Sequence, residues 1–354
     1  MPKYNIALMR GDGIGPQLVH SAKLVLETIS DNSDTKFNIQ EVDAGDGALH
    51  EFGKAMPDYA LDVIKKSDAC LKGPVGESAA DVILVLRQMF DLYANIRPAK
   101  SYPNVKGLSD NIDLVIVREN TEDLYLGWEF EVDENSVIAL RLTSEQASHR
   151  IAEYAFKIAT LRNKKRKVVA VHKANVLRKG DGLFARTCRA VSRNYPQIEY
   201  TELYVDACAM NLIRDPDNFD VILTTNLFGD ILSDEAAQVA GAIGMGPAAN
   251  IGNTFALFEP VHGAAFDIVG KNIANPSSIL LSSKLMLEWL GHERGNKVAI
   301  EEGQKIEDAI MALLKKNKKT IDIGGTLSTS DFTDAVINSM YYGISSLGPR
   351  SHNV

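Results

Sequence analysis

Short apolar runs alternate along this chain with longer stretches that carry the roughly 3.6-residue periodicity of amphipathic helices. The apolar runs lie at 4–9, 112–117, 168–172 and 219–224, and the helical stretches lie at 16–30, 78–90, 144–162 and 229–241. Short apolar runs are typical of buried strands, and longer periodic stretches are typical of helices that cover a sheet. The alternation therefore predicts an α/β fold in which helices flank the strands.

Two irregular segments are candidate crossings between lobes. One is residues 97–100, which contain Pro98, and the other is residues 241–252, which are rich in Gly, Ala, Pro and Asn. Segments of this composition are common where a chain passes between domains. We therefore expect one discontinuous domain of residues 1–98 and 241–354, and a second domain of residues 99–240.

A glycine-rich turn follows the first predicted strand, in the sequence Gly11-Asp12-Gly13-Ile14-Gly15-Pro16. Its spacing is GxGxG, and Pro16 stands where the dinucleotide fingerprint GxGxxG requires its third glycine. A tight turn from strand to helix explains the same residues, because proline suits the first turn of a helix. The sequence thus argues against the Rossmann fold.

The charge and the cysteines restrict the partners and the compartment. A net charge of −8 and a pI near 5.5 give no positive footprint for nucleic acid or an anionic membrane. No apolar stretch approaches the roughly 20 residues that span a bilayer, and no signal-peptide pattern precedes the first strand. Cys70, Cys188 and Cys208 have no CxxC spacing, which argues against disulfides and a zinc site. We expect a soluble cytoplasmic protein.

Asp230 and Asp234 lie four residues apart in a predicted helix, and a third acid, Asp206, lies in Tyr204-Val205-Asp206-Ala207. The i, i+4 spacing places both carboxylates on one helix face, where they can share a cation. Carboxylate oxygens suit Mg²⁺ or Mn²⁺, and a site with few protein ligands leaves positions open for an anionic substrate. The alternative is a solvated helix face.

Arg87, Arg97 and Arg118 are candidate ligands of an anion. Each guanidinium can hold a carboxylate through two hydrogen bonds, so three converging arginines would bind a di- or tricarboxylate. Taken singly, each could instead be an ordinary ion-pair residue. Tyr125 and Lys173 are candidate proton donors or acceptors, with a buried structural tyrosine as the alternative for Tyr125.

Several long motifs occur in a fixed order along nearly the whole chain. They are Gly11–Pro16, Asp91–Pro98, Val117–Glu122, His172–Val176, Asn226–Asp234 and Phe258–Gly263 with Asn275–Pro276. In these motifs the chain resembles the β-decarboxylating dehydrogenases of 2-hydroxy acids, the family of isopropylmalate, isocitrate and homoisocitrate dehydrogenases. The resemblance implies the two-domain fold of that family, with central mixed sheets flanked by helices.

The resemblance also implies roles for the matched residues. Asp206, Asp230 and Asp234 would bind Mg²⁺ or Mn²⁺, and the three arginines would hold the substrate carboxylates. Lys173 would act in deprotonating the substrate hydroxyl, and Tyr125 would protonate the enolate after carbon dioxide leaves. In the family, the equivalents of Lys173 and Asp206 reach into the neighbouring subunit's site. A homodimer with shared active sites is therefore expected, and a tetramer is left open.

By the same resemblance, residues 1–98 and 241–354 would form the cofactor-binding domain, and residues 99–240 would bind substrate and metal and form the dimer. NAD is the expected cofactor, because members that use NADP commonly carry a Lys-Tyr pair where Asp267 and Ile268 stand. An aspartate accepts hydrogen bonds from a free ribose and repels a phosphate. The remaining matched positions of the adenosine-binding loop are Glu259, His262, Gly263 and Asn275, and Phe266 replaces the family's usual proline.

The predicted helix around Arg87 favours 3-isopropylmalate as the substrate. Ile83 and Leu84 offer an apolar wall that suits an isopropyl group and would leave a buried carboxylate unpaired. Val176 would extend this wall from the neighbouring subunit, and Asn175 beside it is predicted to contact the substrate.

Isocitrate and homoisocitrate stay open as alternative substrates. Glu119-Asn120-Thr121-Glu122 is more similar to the isocitrate and homoisocitrate enzymes, and Ala80 stands where bacterial isopropylmalate enzymes carry a glutamate. A non-catalytic regulatory subunit is a further alternative. It is disfavoured because the metal acids, the tyrosine and the lysine are all present.

Overall fold

The computed structural model describes residues 3–79 and 81–342, so Ala80 lies outside the described residues. The described residues form twelve strands and eleven α-helices. The strands are β1 (Lys3–Met9), β2 (Lys36–Val42), β3 (Ala69–Lys72), β4 (Ala94–Lys100), β5 (Asp113–Glu119), β6 (Glu129–Asp133), β7 (Ser136–Ala139), β8 (Lys167–His172), β9 (Glu199–Tyr204), β10 (Val221–Thr224), β11 (Pro247–Ile251) and β12 (Ala256–Pro260). The α-helices are α1 (Gly15–Asn32), α2 (Asp46–Phe52), α3 (Asp58–Lys65), α4 (Asp81–Met89), α5 (Glu145–Arg162), α6 (Gly180–Ser192), α7 (Val205–Arg214), α8 (Asn226–Ala240), α9 (Ser277–Arg294), α10 (Lys297–Lys315) and α11 (Thr329–Tyr341).

Ten of these strands form one mixed sheet in the order β2-β1-β3-β12-β11-β4-β5-β10-β8-β9. The pairs β11 with β12, β4 with β11, and β4 with β5 are antiparallel, and the other neighbours are parallel. The strands β5, β8 and β10 are buried almost throughout, as expected for strands covered by helices on both faces. The predicted α/β fold with a mixed sheet is confirmed.

The sheet has a sequence division at its middle. The six strands from β2 to β4 come from residues 3–100 and 247–260, and the four strands from β5 to β9 come from residues 113–224. Strand β4 itself runs to Lys100 and so passes the predicted boundary at 98. The division into two domains stays a prediction.

The predicted elements agree with the structure in kind and differ at their ends. The helix expected at 78–90 begins as a short 3-10 turn at Glu77–Ala79 and continues as α4. The glycine-rich turn is a close backbone contact, because Cβ atoms on Gly11 and Gly13 would lie 2.1 and 1.9 Å from the carbonyl oxygens of Pro74 and Ala264. Both glycines also have positive φ, which explains the need for glycine there.

A separate hairpin lies outside the large sheet. Strands β6 and β7 form a separate antiparallel hairpin in which every residue is exposed, including Phe130, Val137 and Ile138. None of the helices in the described ranges combines the length and the apolar character needed to cross a membrane. The three cysteines are buried and free of disulfides.

Candidate active site

Helix α8 presents two acids to a group of arginines. Asp230 and Asp234 lie one turn apart and receive Arg97, whose Nη1 lies 3.1 Å from Asp234 and whose Nη2 lies 3.3 Å from Asp230. Arg118 Nη1 donates a hydrogen bond to Asp230 as well. The structure thus brings together the two acids and two of the arginines predicted from the sequence.

The arginines come from three neighbouring elements and are largely withdrawn from solvent. Arg87 lies on α4, Arg97 on β4 and Arg118 on β5. Arg118 is 1% exposed, and burial together with the charge of Arg97 lowers its pKa to about 10, although Asp230 opposes this. Within the described residues its Nη2 has no hydrogen-bond partner. A buried guanidinium with a free donor is suited to an incoming anion.

Tyr125 adds a proton-bearing group to this cluster. Its hydroxyl donates a hydrogen bond to Asp230, and the guanidinium carbon of Arg118 lies 5.0 Å from the centre of its ring. Burial raises the pKa of Tyr125, Arg118 opposes this, and the bond to Asp230 adds to the rise. The hydroxyl therefore keeps its proton at neutral pH and can act as an acid.

The pKa values of the two acids of α8 are shifted in opposite directions. Burial acts to raise the pKa of Asp230, but the charges of Arg118 and Arg97 outweigh it and hold the pKa below its usual value. Burial, together with the charge of Asp230, raises the pKa of Asp234, although Arg97 and Arg118 oppose this. Asp230 is thus ionised at neutral pH, as a metal ligand must be.

Lys173 and Asp206 lie together at a separate place. Lys173 follows β8, its ammonium group binds Asp206 on α7, and this bond lowers the pKa of Asp206. The side chain of Asp206 is 67% exposed. The backbone N–H of Lys173 donates to the buried Asp181 at 2.5 Å, which fixes the loop after β8. Over residues 3–79 and 81–342, no three metal-ligating side chains converge, so Asp206 does not join Asp230 and Asp234 within one chain.

The predicted apolar wall is divided in the same way. Ile83 and Leu84 are half-buried on α4 and lie four and three residues before Arg87, on the same side of the helix. Asn175 and Val176 are exposed and lie just after Lys173. The first pair accompanies the arginines, and the second pair accompanies Lys173.

The predicted cofactor residues lie on and beside the segment that follows β12. His262 is half-buried, burial lowers its pKa, and Gly263 beside it is exposed. Asp267 is exposed and Ile268 half-buried in the 3-10 turn Phe266–Ile268. Asn275 is buried and donates to Asp322 at 3.0 Å, a residue that the sequence did not indicate. An exposed acid next to a half-buried apolar side chain can receive a sugar hydroxyl.

Glu259 differs from the other predicted cofactor residues because it is buried at the end of β12. It lies 2.9 Å from the ammonium group of Lys72 and 3.8 Å from Arg87. Burial acts to raise its pKa, but Lys72 and Arg87 outweigh this and lower the pKa to about 2. Glu259 is therefore an ion-pair partner of Lys72 and Arg87, and it directly precedes the segment that carries the other predicted cofactor residues.

Sequence reasoning missed the polar residues that support the arginines from behind. Asn95 and Asn250 lie inside the buried strands β4 and β11, and Asn226 begins α8. Each is 0% exposed. An asparagine in the middle of a buried strand is unusual, because asparagine is depleted in strands and its amide needs partners there. That anomaly was the available signal.

Comparisons with known proteins give relatives that match along almost the whole chain. Residues 5–336 match the family described as isocitrate/isopropylmalate dehydrogenase. The 3-isopropylmalate dehydrogenase of Saccharolobus solfataricus is 49% identical over 338 residues, which cover 95% of this chain and 99% of that protein. The 3-isopropylmalate dehydrogenase of Sulfurisphaera tokodaii is 48% identical with the same coverage of both chains, 95% and 99%. The crystal structure of an isocitrate dehydrogenase from Methylococcus capsulatus has a TM-score of 0.87 at 38% identity, covering 95% of this chain and 99% of that one.

The mixed sheet, the arginine and aspartate cluster and these relatives define a β-decarboxylating dehydrogenase. The expectation drawn from the sequence motifs is confirmed at this level. The chain belongs to the isocitrate/isopropylmalate dehydrogenase family.

Proposed function

We propose that the protein oxidises and decarboxylates (2R,3S)-3-isopropylmalate to 2-oxo-4-methylpentanoate and carbon dioxide, with NAD and Mg²⁺ or Mn²⁺, in leucine biosynthesis. The observation that carries the proposal is the cluster in which Arg97 and Arg118 meet Asp230, with Tyr125 bonded to the same carboxylate. In such a cluster the arginines can bind a carboxylate and the aspartates can bind a cation, and the tyrosine can transfer a proton beside them. The identity of nearly half of the residues with two 3-isopropylmalate dehydrogenases supports this substrate.

Asp206, Asp230 and Asp234 are the proposed metal ligands. Their donor atoms are all carboxylate oxygens, which fit a hard divalent cation, and the side chains of Asp230 and Asp234 are 38% and 54% exposed. A bound cation would supply Lewis-acid polarisation of the substrate oxygens, and bound NAD would accept the hydride from C2. The two acids of α8 are already held next to the arginines that would bind the acid substrate.

The residues of the chain would perform the binding and the proton transfers. Arg87, Arg97 and Arg118 bind and orient the carboxylates of the substrate. Lys173 of a second copy, hydrogen-bonded to its own Asp206, acts in deprotonating the C2 hydroxyl, and a carboxylate of the proposed metal ligands accepts the proton. Loss of carbon dioxide leaves an electron pair on C3, and Tyr125 donates its hydroxyl proton there. The raised pKa of Tyr125 keeps that proton available until this step.

Ile83 and Leu84 support isopropylmalate over isocitrate. They place apolar side chains on the side of α4 that carries Arg87, where isocitrate would need a partner for a third carboxylate. A buried carboxylate without a partner is costly, whereas an isopropyl group gains by burial against aliphatic side chains. For the cofactor, exposed Asp267 next to Ile268 supports NAD, because an aspartate repels the additional phosphate of NADP.

A second copy of this chain is proposed as the partner, since Lys173 and Asp206 lie at an exposed apolar surface. On α7, Met210 and Ile213 lie four and seven residues after Asp206 and are 53% and 60% exposed. Val176 after β8 is 65% exposed. Exposed apolar side chains are common at association surfaces, and here they lie on α7, which carries Asp206, and in the segment just after Lys173. The exposed hairpin β6–β7 offers a further apolar surface for the same contact.

Initial-rate kinetics on isopropylmalate, isocitrate, homoisocitrate and malate, each with NAD and with NADP, test the reaction. The expected result is the highest kcat/KM with isopropylmalate and NAD in the presence of Mg²⁺ or Mn²⁺, and loss of activity with EDTA. A higher kcat/KM for isocitrate or homoisocitrate would contradict the proposed substrate. Absence of turnover with every acid would favour a regulatory subunit instead.

Mixing two inactive variants tests the shared site. Lys173→Met and Asp230→Asn are each expected to be inactive, but equal mixtures that exchange subunits should recover about a quarter of the wild-type activity, because half of the dimers are mixed and one of their two sites is intact. If both residues served the same chain's site, mixing would restore nothing. A mixture of Lys173→Met with Asp206→Asn is the matched control. One copy would supply both residues to its partner's site, so each site of a mixed dimer would lack either the lysine or the aspartate. This mixture should recover no activity.

A further inference from the structure

Each of the three arginines is held from behind by an asparagine. Arg118 Nε donates to Asn226 Oδ1 at 2.9 Å, and Arg97 Nε donates to Asn95 Oδ1 at 2.9 Å. Arg87 Nε donates to Asn250 Oδ1 at 3.2 Å. The three arginines come from different elements, so the repetition does not follow from one local motif.

Hydrogen bonds on the other side of each amide fix its orientation. Asn226 Nδ2 donates to the carbonyl oxygen of Glu122 at 3.0 Å. Asn95 Nδ2 donates to Asn250 Oδ1 at 2.8 Å, and Asn250 Nδ2 donates to Glu259 at 2.8 Å. With its amino group engaged in this way, each asparagine must turn its oxygen toward the arginine.

The sheet register produces the contact between Asn95 and Asn250. Asn250 on β11 lies opposite Asn95 on β4, and Asn95 lies opposite Arg118 on β5. Three neighbouring strands therefore carry polar residues in one row across the middle of the sheet. Asn226 approaches Arg118 from the start of α8, which packs over the same strands.

A neutral acceptor at Nε has a specific consequence for anion binding. A guanidinium is planar, so a bond at Nε fixes the plane and leaves its two amino groups for a carboxylate. A carboxylate at that place would fix the plane equally well but would offset the positive charge that the substrate needs. Arg118 shows the result, because its Nε is bonded while its buried Nη2 has no partner among the described residues.

We propose that Asn95, Asn226 and Asn250 are positioning residues for the substrate carboxylates. They orient the three guanidinium groups through neutral acceptors, so the contact at Nε adds no negative charge. Of the three, Arg87 also has a carboxylate behind it, since Glu259 lies 3.8 Å away. The inference rests on the proposed function in one respect, namely that the arginines bind an anionic acid.

Asn226 gives the sharpest test, because it begins a helix, where an aspartate is favourable for the helix dipole. Asn226→Asp keeps an acceptor for Arg118 and adds a charge, and Asn226→Ala removes the acceptor. Both should raise KM for the acid by about ten-fold or more, because a hydrogen bond to a charged group is lost or the charge is offset. KM for NAD should stay close to the wild-type value, and kcat should change much less than KM. The melting temperature should fall in both variants, because buried hydrogen bonds of Asn226 are lost.

Asn338→Asp is the matched control, since Asn338 is a similarly buried asparagine on α11, away from the arginines. It introduces the same charge into the fold and should leave KM for the acid unchanged. Two results would overturn the proposal. One is a KM for the acid within two-fold of wild type in either Asn226 variant. The other is a parallel rise of KM for the acid and KM for NAD, which would indicate a general structural role.

The kinetics of the wild-type protein test the proposed function independently of the Asn226 variants. If the wild type prefers isocitrate or homoisocitrate, the substrate assignment is wrong, and the Asn226 variants are then compared with that acid. The same KM increase is expected there, because every acid of this class presents carboxylates to the arginines.

Discussion

Gly229→Ala should impair substrate binding without unfolding the protein, because Gly229 on α8 touches the side chain of Arg118. A Cβ built on Gly229 would lie 2.5 Å from Cγ and 2.7 Å from Cβ of Arg118, about 1 Å short of ordinary van der Waals contact. The overlap should cost about 1–3 kcal/mol as overpacking. Replacing glycine by alanine inside a helix returns about 1 kcal/mol. The free energy of unfolding should therefore fall by at most about 2 kcal/mol.

The catalytic effect should be larger than the effect on stability. Arg118 is buried and bonded to Asn226 and Asp230, so it can yield only by moving its guanidinium within the site. A displacement of about 1 Å in a substrate-positioning group can lower the rate by about a hundred-fold. We expect kcat/KM for the acid to fall by about that factor, measured by initial rates, while urea unfolding stays cooperative.

Gly182→Ala is the matched control for this prediction. Gly182 lies in α6, and the nearest atom to its added Cβ would be Arg186 Nη1, the end of a flexible side chain, at 3.4 Å. This variant should gain up to about 1 kcal/mol of stability from helix propensity and keep its kcat/KM. Wild-type kcat/KM in Gly229→Ala, or an equal loss in both variants, would refute the reasoning.

Two further predictions concern specificity and acid stability. Leu84→Arg should lower kcat/KM for isopropylmalate by about ten-fold or more, since an apolar contact worth about 1–3 kcal/mol is replaced by a charge. Val85→Arg is the control, because Val85 is the next residue and is exposed, and it should leave kcat/KM unchanged. Equal kinetics in the two variants would show that Leu84 does not face the substrate. Glu259→Gln should destabilise the protein at neutral pH by roughly 3 kcal/mol, because the pKa of Glu259 is lowered to about 2 by Lys72 and Arg87. A lowered pKa gives stability that is present above the usual glutamate value and is lost as the pH falls toward 2. Urea unfolding should accordingly show a weaker loss of stability below pH 5 in the variant than in the wild type; parallel pH profiles would contradict this.

Local periodicity was sufficient to predict the kinds of element and much of the site. The i, i+4 spacing of Asp230 and Asp234 placed both acids on one face of a helix, and α8 carries them as predicted. The motifs also identified Arg97, Arg118 and Tyr125, which the structure brings to Asp230. The spacing of residues along a helix or strand is set by backbone geometry, so sequence alone can determine it. The domain boundaries, the cofactor and the cytoplasmic location stay predictions.

Tertiary structure decided which distant residues meet. Asn95 and Arg97 lie two residues apart on β4, but Asn250 supports Arg87 and Asn226 supports Arg118 only because the fold brings β11 to α4 and α8 to β5. The separation of Asp206 from Asp230 and its pairing with Lys173 likewise follow from the placement of α7 and β8.

The sequence by itself determined an α/β chain of a particular dehydrogenase family and the residue types of its site. Only the fold decided that Asn250 and Asn226 reach Arg87 and Arg118, and that Lys173 and Asp206 lie apart from the arginine cluster. The physical reason is that side-chain periodicity is a local property of the backbone, whereas strand order brings together residues more than a hundred positions apart.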